Sequence, residues 1–444
     1  MFPSRWPFSR SAALSLLAAL TAALSAHAEI GFIVTGVGPV NRSMGGASVA
    51  APIDAAGALY WNPGAISGLE RTEMSFGLEL IDPRERLSST LPAGSVAPFT
   101  PPITLSGSTH GDTGISPLPT MALVFRPEQS DWTFGLGIFE IGGFTANYAA
   151  STTNPILTAQ PPFGLGLGAL EAMLQIFQLA PTASYRVSDH LSFGVAATVD
   201  MSYLTADPAF IASPDGSLGN GFPTFGSTTH THIAWGLGCQ AGVYYTTDTC
   251  FNLGASIKSP QWNEPFRYNT QTQIGAPRII KFHFDVPMIA SIGASYTGFE
   301  RWVLAADFRY VDFGNAQGLH RSGFDATGAV AGLGWQSTFA MGVGAQYKVT
   351  DCLSTRIGYT FNTNPISNAQ SSFNVASATI VEHSLAVGFS YQIMNNLDLS
   401  VTYAHDFENS INGPIISVRG PIPGSSVGST ISADALLIGA SLKF

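Results

Sequence analysis

Apolar and polar positions alternate along most of this 444-residue chain, from about residue 72 to the C-terminus. In the last nine residues, 436–444, every even position carries an apolar or small side chain, and Gly439, Ser441 and Lys443 lie between them. A period of two places successive side chains on opposite faces of a β-strand. An aliphatic face, a polar face and a terminal aromatic residue are typical of the closing strand of a transmembrane β-barrel.

Charged residues in these alternating segments sort to one face. They fall in the row opposite the large apolar side chains, as do Asp307, Arg309, Arg356 and Asp398. On the lipid face, an Arg or Lys near the bilayer midplane costs about 2–4 kcal/mol. The sorting therefore predicts a closed barrel with oily side chains outside and charged groups inside.

The alternation divides into fourteen predicted strands. They cover approximately 72–82, 116–126, 131–141, 176–187, 190–204, 230–247, 250–260, 278–297, 301–313, 334–349, 352–363, 378–393, 396–409 and 431–444. Every second connection is very short and the intervening ones are long, which is the arrangement of periplasmic turns and external loops in outer-membrane barrels. The predicted fold is all-β, a 14-stranded antiparallel transmembrane β-barrel over residues 71–444.

The first 28 residues have the organisation of a secretory signal peptide. Arg5 and Arg10 precede an apolar run over 12–26, and Ala26-His27-Ala28 fits a small-x-small cleavage site. The run is shorter than the roughly 20 residues that a membrane-spanning helix needs. Export and a barrel together predict the bacterial outer membrane as the location.

Composition agrees with a barrel and excludes several other classes. Charged residues make up 11% of the chain, against roughly 25% in a soluble domain, and the net charge is −10, so we expect no nucleic-acid partner. The three cysteines, Cys239, Cys250 and Cys352, lack metal-site spacing, and we expect no metal, no cofactor and no assignable disulfide. His405-Asp406 is not expected to be a catalytic pair, because adjacent residues of a strand point to opposite faces.

Residues 29–70 differ from the rest, since Gly, Ala and Pro dominate and charges are few. A barrel of fourteen strands leaves a lumen to fill. We therefore predict that this segment is a hatch, or plug, inside the barrel. The alternative is a disordered periplasmic tail, which the scarcity of charge disfavours.

Several short motifs give the chain a family resemblance. They are Ser43-Met44-Gly45-Gly46-Ala47, Asn62-Pro63-Gly64-Ala65, the run 179–185 followed by 191–194, Trp262-Asn263-Glu264-Pro265-Phe266, Val286-Pro287, Ser295-Tyr296, and Arg356-Ile357-Gly358-Tyr359 before Asn364-Pro365-Ile366. In order and spacing they resemble the FadL-type outer-membrane transporters of long-chain fatty acids and aromatic hydrocarbons. The resemblance implies loop capture of a hydrophobic substrate, an inner apolar pocket, and sideways exit near an inward kink of the third strand.

The resemblance also assigns residues to that route. The hatch motif Asn62, Pro63 and Gly64 is expected beside the opening, with Gly64 in place of the family's Ala. The kink is expected at Ile141, Gly142, Gly143 and Phe144, where many relatives carry Pro-Phe-Gly and this chain has two glycines that permit a bend.

An external loop rich in apolar residues is the predicted capture surface, since exposed apolar patches often mark binding sites. Its residues are Leu165, Leu167, Leu170, Met173, Leu174 and Phe177, with further contributions from Phe99, Ile103, Leu105, Phe210, Ile211 and Phe222. The stretch 169–178 is also compatible with a helix, and the alternative role is simple packing over the barrel mouth.

A fatty-acid carboxylate in an apolar pocket would need a cation, because an unpaired buried charge is costly. The candidates are Arg356, Arg309, Arg126 and Lys258. Arg309 has Asp307 on its own face, whereas Arg356 has no acid nearby in sequence and is preferred. A neutral hydrocarbon is equally compatible with so few basic residues.

The predicted function is passive uptake of hydrophobic molecules across the outer membrane by a monomer surrounded by outer-membrane lipid. The first alternative is a general porin or structural barrel, which requires a polar lumen without a plug. The second is an outer-membrane hydrolase, which requires a nucleophile and base that the sequence does not offer.

Overall fold

The computed structural model describes residues 29–95, 103–228, 230–231 and 233–444. The predicted signal peptide and Phe99 lie outside the described residues. Among those described, no helix has the length and apolar character that crossing a bilayer requires.

Fourteen antiparallel strands form a closed barrel, as predicted. Their bounds are Glu73–Leu91 (β1), Ser116–Phe125 (β2), Trp132–Tyr148 (β3), Leu170–Arg186 (β4), Leu191–Asp207 (β5), Ala234–Thr246 (β6), Phe251–Lys258 (β7), Ile289–Tyr296 (β8), Trp302–Val311 (β9), Thr338–Lys348 (β10), Leu353–Asn362 (β11), His383–Met394 (β12), Leu397–Gly413 (β13) and Ser426–Lys443 (β14). Each strand pairs with the next, and β14 pairs with β1 from Ser426↔Thr90 to Lys443↔Glu73. The last residue also takes part, because the Phe444 amide donates to the Thr72 carbonyl at 2.9 Å.

The two faces of the wall carry the residues that the alternation predicts. Large apolar side chains such as Phe134, Trp235 and Ile292 are 45–60% exposed on the outside. Inside, Asp307 is 2% exposed and Arg309 is fully buried. The inward orientation of charge is therefore confirmed.

Strand β4 corrects one prediction, because it begins at Leu170 rather than near residue 176. There is no helix over 169–178; the stretch pairs with β3, from Tyr148↔Leu170 onward. Leu174 is 1% exposed and faces inward, whereas Met173 faces outward. The inward face of this stretch is apolar and its outward face mixes polar with large apolar residues, so the period-two signal that marks a strand is weak here.

Strand β8 corrects another, because the predicted strand 278–297 is two separate elements. Pro277–Phe282 pairs with Phe266–Gln271, which also pairs with His230–Thr231 in a small sheet outside the barrel wall. The wall strand itself starts at Ile289, two residues after Pro287. A proline donates no ladder hydrogen bond, so a strand is readily interrupted there.

Residues from Ile30 to Leu69 lie inside the barrel and are almost all buried. This hatch consists of short strands Glu29–Ile30 and Ile33–Val34, helices Gly38–Arg42 (α1) and Ala55–Trp61 (α2), and the 3₁₀ helix Pro63–Gly68. The side chain of Asp54 caps α2 by accepting from the Gly57 amide at 3.2 Å. Remaining minor elements are the strands Leu105–His110, Trp262–Asn263, Ile416–Ser417 and Gly420–Pro421 and the 3₁₀ helices Pro155–Leu157, Phe313–Asn315 and Asn368–Phe373.

Candidate transport pathway

A buried arginine ties the hatch to the wall on one side. Arg42, at the end of α1, lies 3.1 Å from Asp406 of β13 and 3.4 Å from Glu79 of β1. All three side chains are at most 7% exposed. Its guanidinium also donates to the Thr35 hydroxyl. The cation neutralises two carboxylates that would otherwise be buried without a counter-charge.

A carboxylate on the wall holds the opposite side of the hatch. Asp307 of β9 accepts hydrogen bonds from the backbone amides of Ser48 and Val49 at 2.8 and 3.0 Å. Arg309, two residues on, is 2.7 Å from the Asp307 carboxylate and donates to the Gly46 carbonyl at 2.7 Å. Hatch and wall therefore satisfy each other's buried polar groups.

The hatch motif forms hydrogen bonds to two strands of the wall. The Asn62 amide donates to the carbonyls of Val49 and of Val243 in β6, at 2.7 and 2.9 Å. The carbonyl of Gly64 accepts from Ser184 of β4 at 3.3 Å. These hydrogen bonds join Asn62 to β6 and Gly64 to β4. Close approach requires glycine on the wall, because a Cβ on Gly242 would lie 2.0 Å from the Asn62 side chain.

The third strand carries an irregularity where the kink is expected. Strand β3 does not end at residue 141 but continues to Tyr148, with a register shift between Glu140 and Gly142 against β4. Ile141 is thus the extra residue of a β-bulge, which bends a strand and changes its twist. The amide of Gly143 donates to the Phe32 carbonyl of the hatch at 2.9 Å. Tyr60 of α2 also reaches this point, 3.5 Å from the Ile141 carbonyl.

Beside this bulge the wall loses its hydrogen bonds. Among the described residues, β2 pairs with β3 only from Thr120↔Phe139 to Phe125↔Phe134. Residues 116–119 of β2 stay paired with β1, and the rest of β3 stays paired with β4. The stretch of β2 that does not pair with β3 contains Pro117 and Pro119. Proline has no N–H group, so fewer backbone donors are left without a partner at this break in the wall.

Two small cavities lie inside the barrel at this level. The rim chamber, about 60 Å³, adjoins the break and is lined by Ile81, Pro83, Glu85, Ser116, Leu118, Glu140, Gly143, Phe144, Thr145, Leu174, Gln175, Ala378, Thr379 and Ile431. The inner chamber, about 30 Å³, is lined by Phe144, Ala172, Leu204, Thr205, Ala206, Phe210, Ile211, Phe282, Phe284, Leu333, Ala376 and Ser377. Phe144 belongs to both linings and therefore stands between them.

An open groove of about 780 Å³ lies among the external loops. It is lined by Leu105, Ser151, Thr152, Thr158, Ala159, Pro161, Pro162, Phe163, Gly164, Leu165, Gly221, Phe222 and Pro223. Phe163 is 90% exposed there. Of the predicted capture residues, Leu105, Leu165 and Phe222 line this external groove, whereas Phe210 and Ile211 line the inner chamber.

The remaining capture residues lie elsewhere. Ile103 is 63% exposed and Leu167 packs against the large buried cluster. Leu170, Met173, Leu174 and Phe177 belong to β4 rather than to a loop. The predicted loop is therefore divided between the external groove and the barrel wall.

The candidate head-group cations are all engaged by protein groups. Arg309 pairs with Asp307 and stacks over Trp61 at 3.6 Å. Lys258 lies 4.2 Å above the Tyr60 ring. Arg126 donates to the carbonyls of Ser67 and Leu69 near the short turns.

Arg356, the preferred head-group candidate, lies in a cavity with several charged side chains. It lines the periplasmic vestibule, a cavity of about 880 Å³ that also contains Asp54, Glu73, Asp398 and Lys443. Its guanidinium donates to Gln346 and Ser390, both at 2.7 Å. Burial, with the neighbouring carboxylate of Glu73, raises the pKa of Asp54 in this vestibule to about 7.

The residues missed from the sequence are mostly those that face the hatch or the break. The sequence alone predicted no functional role for Arg42, Glu79, Glu85, Glu140 and the two prolines of β2. A usable signal was the Pro-x-Pro spacing at 117–119, since prolines are otherwise excluded from central strands. His405 and Asp406 point to opposite faces as expected: His405 lies 3.1 Å from Asp434, and Asp406 faces Arg42.

Comparison with known proteins places this architecture in a family. A family model described as outer membrane protein transport protein (OMPP1/FadL/TodX) matches residues 18–444. The chain belongs to this family. It is therefore a transport protein of the bacterial outer membrane and not an enzyme, and the resemblance seen in its motifs is confirmed. No curated protein matches the sequence significantly.

Solved structures of FadL-type channels share the fold over nearly their whole length. The toluene transporter TodX of P. putida has 15% identity and a TM-score of 0.66, with 94% of this chain and 99% of that chain covered. The toluene transporter TbuX of Ralstonia pickettii has 19% identity and a TM-score of 0.64, covering 92% and 99%. A Pseudomonas aeruginosa FadL homologue has 16% identity and a TM-score of 0.69, covering 93% and 100%. At such identities the likeness shows the fold alone.

Proposed function

We propose that this FadL-type protein admits hydrophobic molecules passively from outside the cell into the outer membrane. The route runs from the external groove to the inner chamber, past Phe144 into the rim chamber, and out between β2 and β3. Structures named as toluene transporters and as a monoaromatic hydrocarbon channel share this fold, which supports an apolar substrate.

The observation that carries the proposal is the break between β2 and β3 with a cavity behind it. A hydrophobic solute gains about 25 cal/mol for each Å² of apolar surface that stays out of water. A pore ending in the aqueous periplasm would forfeit this gain, whereas a side exit into lipid keeps it. The bulge at Ile141 and the unpaired stretch at 116–119 create such an exit at the level of the chambers.

Passage through the chambers requires side-chain movement. A cavity of about 150 Å³ is known to accommodate benzene, and the two chambers are about 60 and 30 Å³. Phe144 separates them and lies two residues after Gly142 of the bulge. We infer that displacement of the Phe144 ring joins the chambers when a substrate enters.

A general porin is the less supported function, because the hatch fills the lumen with buried side chains. The hatch also forms hydrogen bonds with several strands of the wall. We infer that the hatch blocks ions while it positions the bulge through Gly143 and Tyr60.

The experiment blocks the proposed exit from within. Leu118 of β2 is 8% exposed and lines the rim chamber. In Leu118→Trp, the larger ring fills that chamber, and uptake of labelled toluene and decane by a bacterial host without its own channel of this family should fall to the empty-vector rate.

Met121 on the same strand supplies the matched control. It is 44% exposed on the lipid face, so Met121→Trp adds the same ring outside the route and should keep wild-type uptake. Folding of both variants is checked by the mobility of unheated protein in detergent gels. Full uptake by folded Leu118→Trp would refute the exit between β2 and β3.

A further inference from the structure

Among the described residues, the charged side chains that line the cavities of the proposed route are all acidic. None of the residues that line the external groove, the inner chamber or the rim chamber is Lys, Arg or His. The charged residues in these linings are two acids, Glu85 and Glu140, both in the rim chamber. A molecule that passes through these three cavities therefore meets no positive side chain of a described residue, and it passes two carboxyl groups just before the break.

Glu140 is the better placed of the two acids. It follows Phe139 at the bulge, pairs with Phe177 of β4 and lines the rim chamber. It is 5% exposed, and one carboxyl oxygen accepts from Gln175 at 3.4 Å. The other oxygen, Oε2, has no hydrogen-bond partner. A buried unpaired acceptor beside an otherwise largely apolar cavity calls for an explanation.

Glu85 reinforces this acidic character from the other side of the rim chamber. It extends from β1, is 9% exposed, and accepts from the Tyr148 hydroxyl at 3.1 Å. Arg42 of the hatch forms ion pairs with Glu79 and Asp406. Whether protonated or ionised, the two glutamates offer no counter-charge to an anion.

We infer that the substrate is an uncharged hydrophobic molecule and that the rim chamber, through Glu140 and Glu85, excludes fatty-acid and other carboxylate anions. A carboxylate would have to shed water in a small chamber without a cation, which is costly, and an ionised glutamate adds repulsion. An uncharged hydroxyl suffers neither penalty and can donate to the unpartnered oxygen of Glu140. The inference rests on the proposed route and narrows its substrate class.

Three probes of nearly equal size separate charge from polarity: toluene, benzyl alcohol and benzoate. Uptake of each is measured at neutral pH in the same host, and the benzoate-to-toluene ratio is the readout. Wild type should take up toluene and benzyl alcohol and leave benzoate at the empty-vector rate. The ratio should rise by about tenfold or more across the series Glu140, Glu140→Gln and Glu140→Lys, because the last supplies the missing cation.

Glu264→Lys is the matched control, since Glu264 is exposed on an external loop and absent from all three linings. It should leave the ratio unchanged. Should Glu140→Lys fail to fold, Ser116→Arg places a cation in the same chamber from β2 and should raise the ratio in its place.

The outcomes are distinguishable. Benzoate uptake equal to that of toluene in wild type overturns the inference but leaves the proposed route intact. Exclusion of benzyl alcohol together with benzoate also overturns it, because polarity rather than charge would then be the filter. A ratio that stays constant through folded Gln, Lys and Ser116→Arg variants removes the role of the rim chamber. Failure of wild type to take up toluene at all defeats the proposed function itself.

Discussion

Replacement of Arg42 by methionine tests how the hatch is held in the barrel. Methionine keeps much of the length of the side chain and removes the charge. In the wild type the guanidinium lies 3.1 and 3.4 Å from carboxylates of β13 and β1. The variant leaves Asp406 and Glu79 facing each other without a cation while the hatch is docked.

The expected cost follows from the burial of this network. Removing one partner of a buried ion pair destabilises by about 3–5 kcal/mol. Displacement of the hatch lets water reach both carboxylates, so the penalty falls on the docked state. At about 1.36 kcal/mol per factor of ten, the opening equilibrium should shift by about two to four powers of ten.

Hydrogen exchange measured by mass spectrometry reports this shift directly. The amides of Ser48 and Val49 donate to Asp307 only while the hatch is docked, so their exchange rate follows the opening equilibrium. Exchange of a peptide containing them should accelerate by about a hundredfold or more in Arg42→Met. Single-channel recordings should show openings that the wild type lacks.

Two further variants make the result interpretable. Adding Glu79→Gln and Asp406→Asn to Arg42→Met removes the uncompensated charges and should recover much of the slow exchange. Arg84→Met is the control, because Arg84 pairs with Asp434 on the outer surface and is 47% exposed. Unchanged exchange in Arg42→Met, or no recovery in the triple variant, would refute the view that this network holds the hatch.

Three other predictions concern the hatch and the chambers. Asp54→Asn keeps the cap of α2 and removes a carboxyl whose pKa is raised to about 7. A raised acid pKa favours the docked hatch at low pH. Between pH 5 and 8 the wild type should therefore lose about 2–3 kcal/mol of hatch stability relative to the Asn variant, as measured by hydrogen exchange. Phe144→Ala should open the link between the chambers and raise uptake of naphthalene more than uptake of toluene; equal effects on both would contradict a gate at this position. Gly46 has a φ of +73° and a Cβ there would lie 1.8 Å from the Thr35 carbonyl, so Gly46→Ala should destabilise the hatch by at least about 1–2 kcal/mol and increase ion conductance while the barrel stays folded.

The barrel was predictable because lipid imposes one rule on every strand. An inward Arg309 and an outward Phe308 follow from period two alone, and the same rule holds along most of the wall. The rule fails where the lumen itself is apolar, which is why the upper half of β4, with Leu174 inward and Met173 outward, reads as a loop. Pro287 likewise lies between two strands that the residue pattern joins into one.

The contacts of the hatch were not predictable from the sequence. Arg42 meets Glu79 and Asp406 at separations of 37 and 364 residues. Such ion pairs follow no periodic pattern in the sequence, and several carboxylates were possible partners for each cation. The same holds for Arg356, whose surroundings depend on three strands and the underside of the hatch. The break between β2 and β3 left a trace in the two prolines, but its location needed the register of both strands.

The prolines of β2 also determine how the protein behaves toward its neighbours in a crowded membrane. An open strand edge normally recruits a strand from another molecule, and such pairing leads to strand exchange or aggregation. Pro117 and Pro119 cannot donate the hydrogen bonds that an added strand would need. The exposed edge of β2 at the break therefore resists pairing with a strand of another molecule. Copies of the protein can pack side by side without forming a shared sheet there.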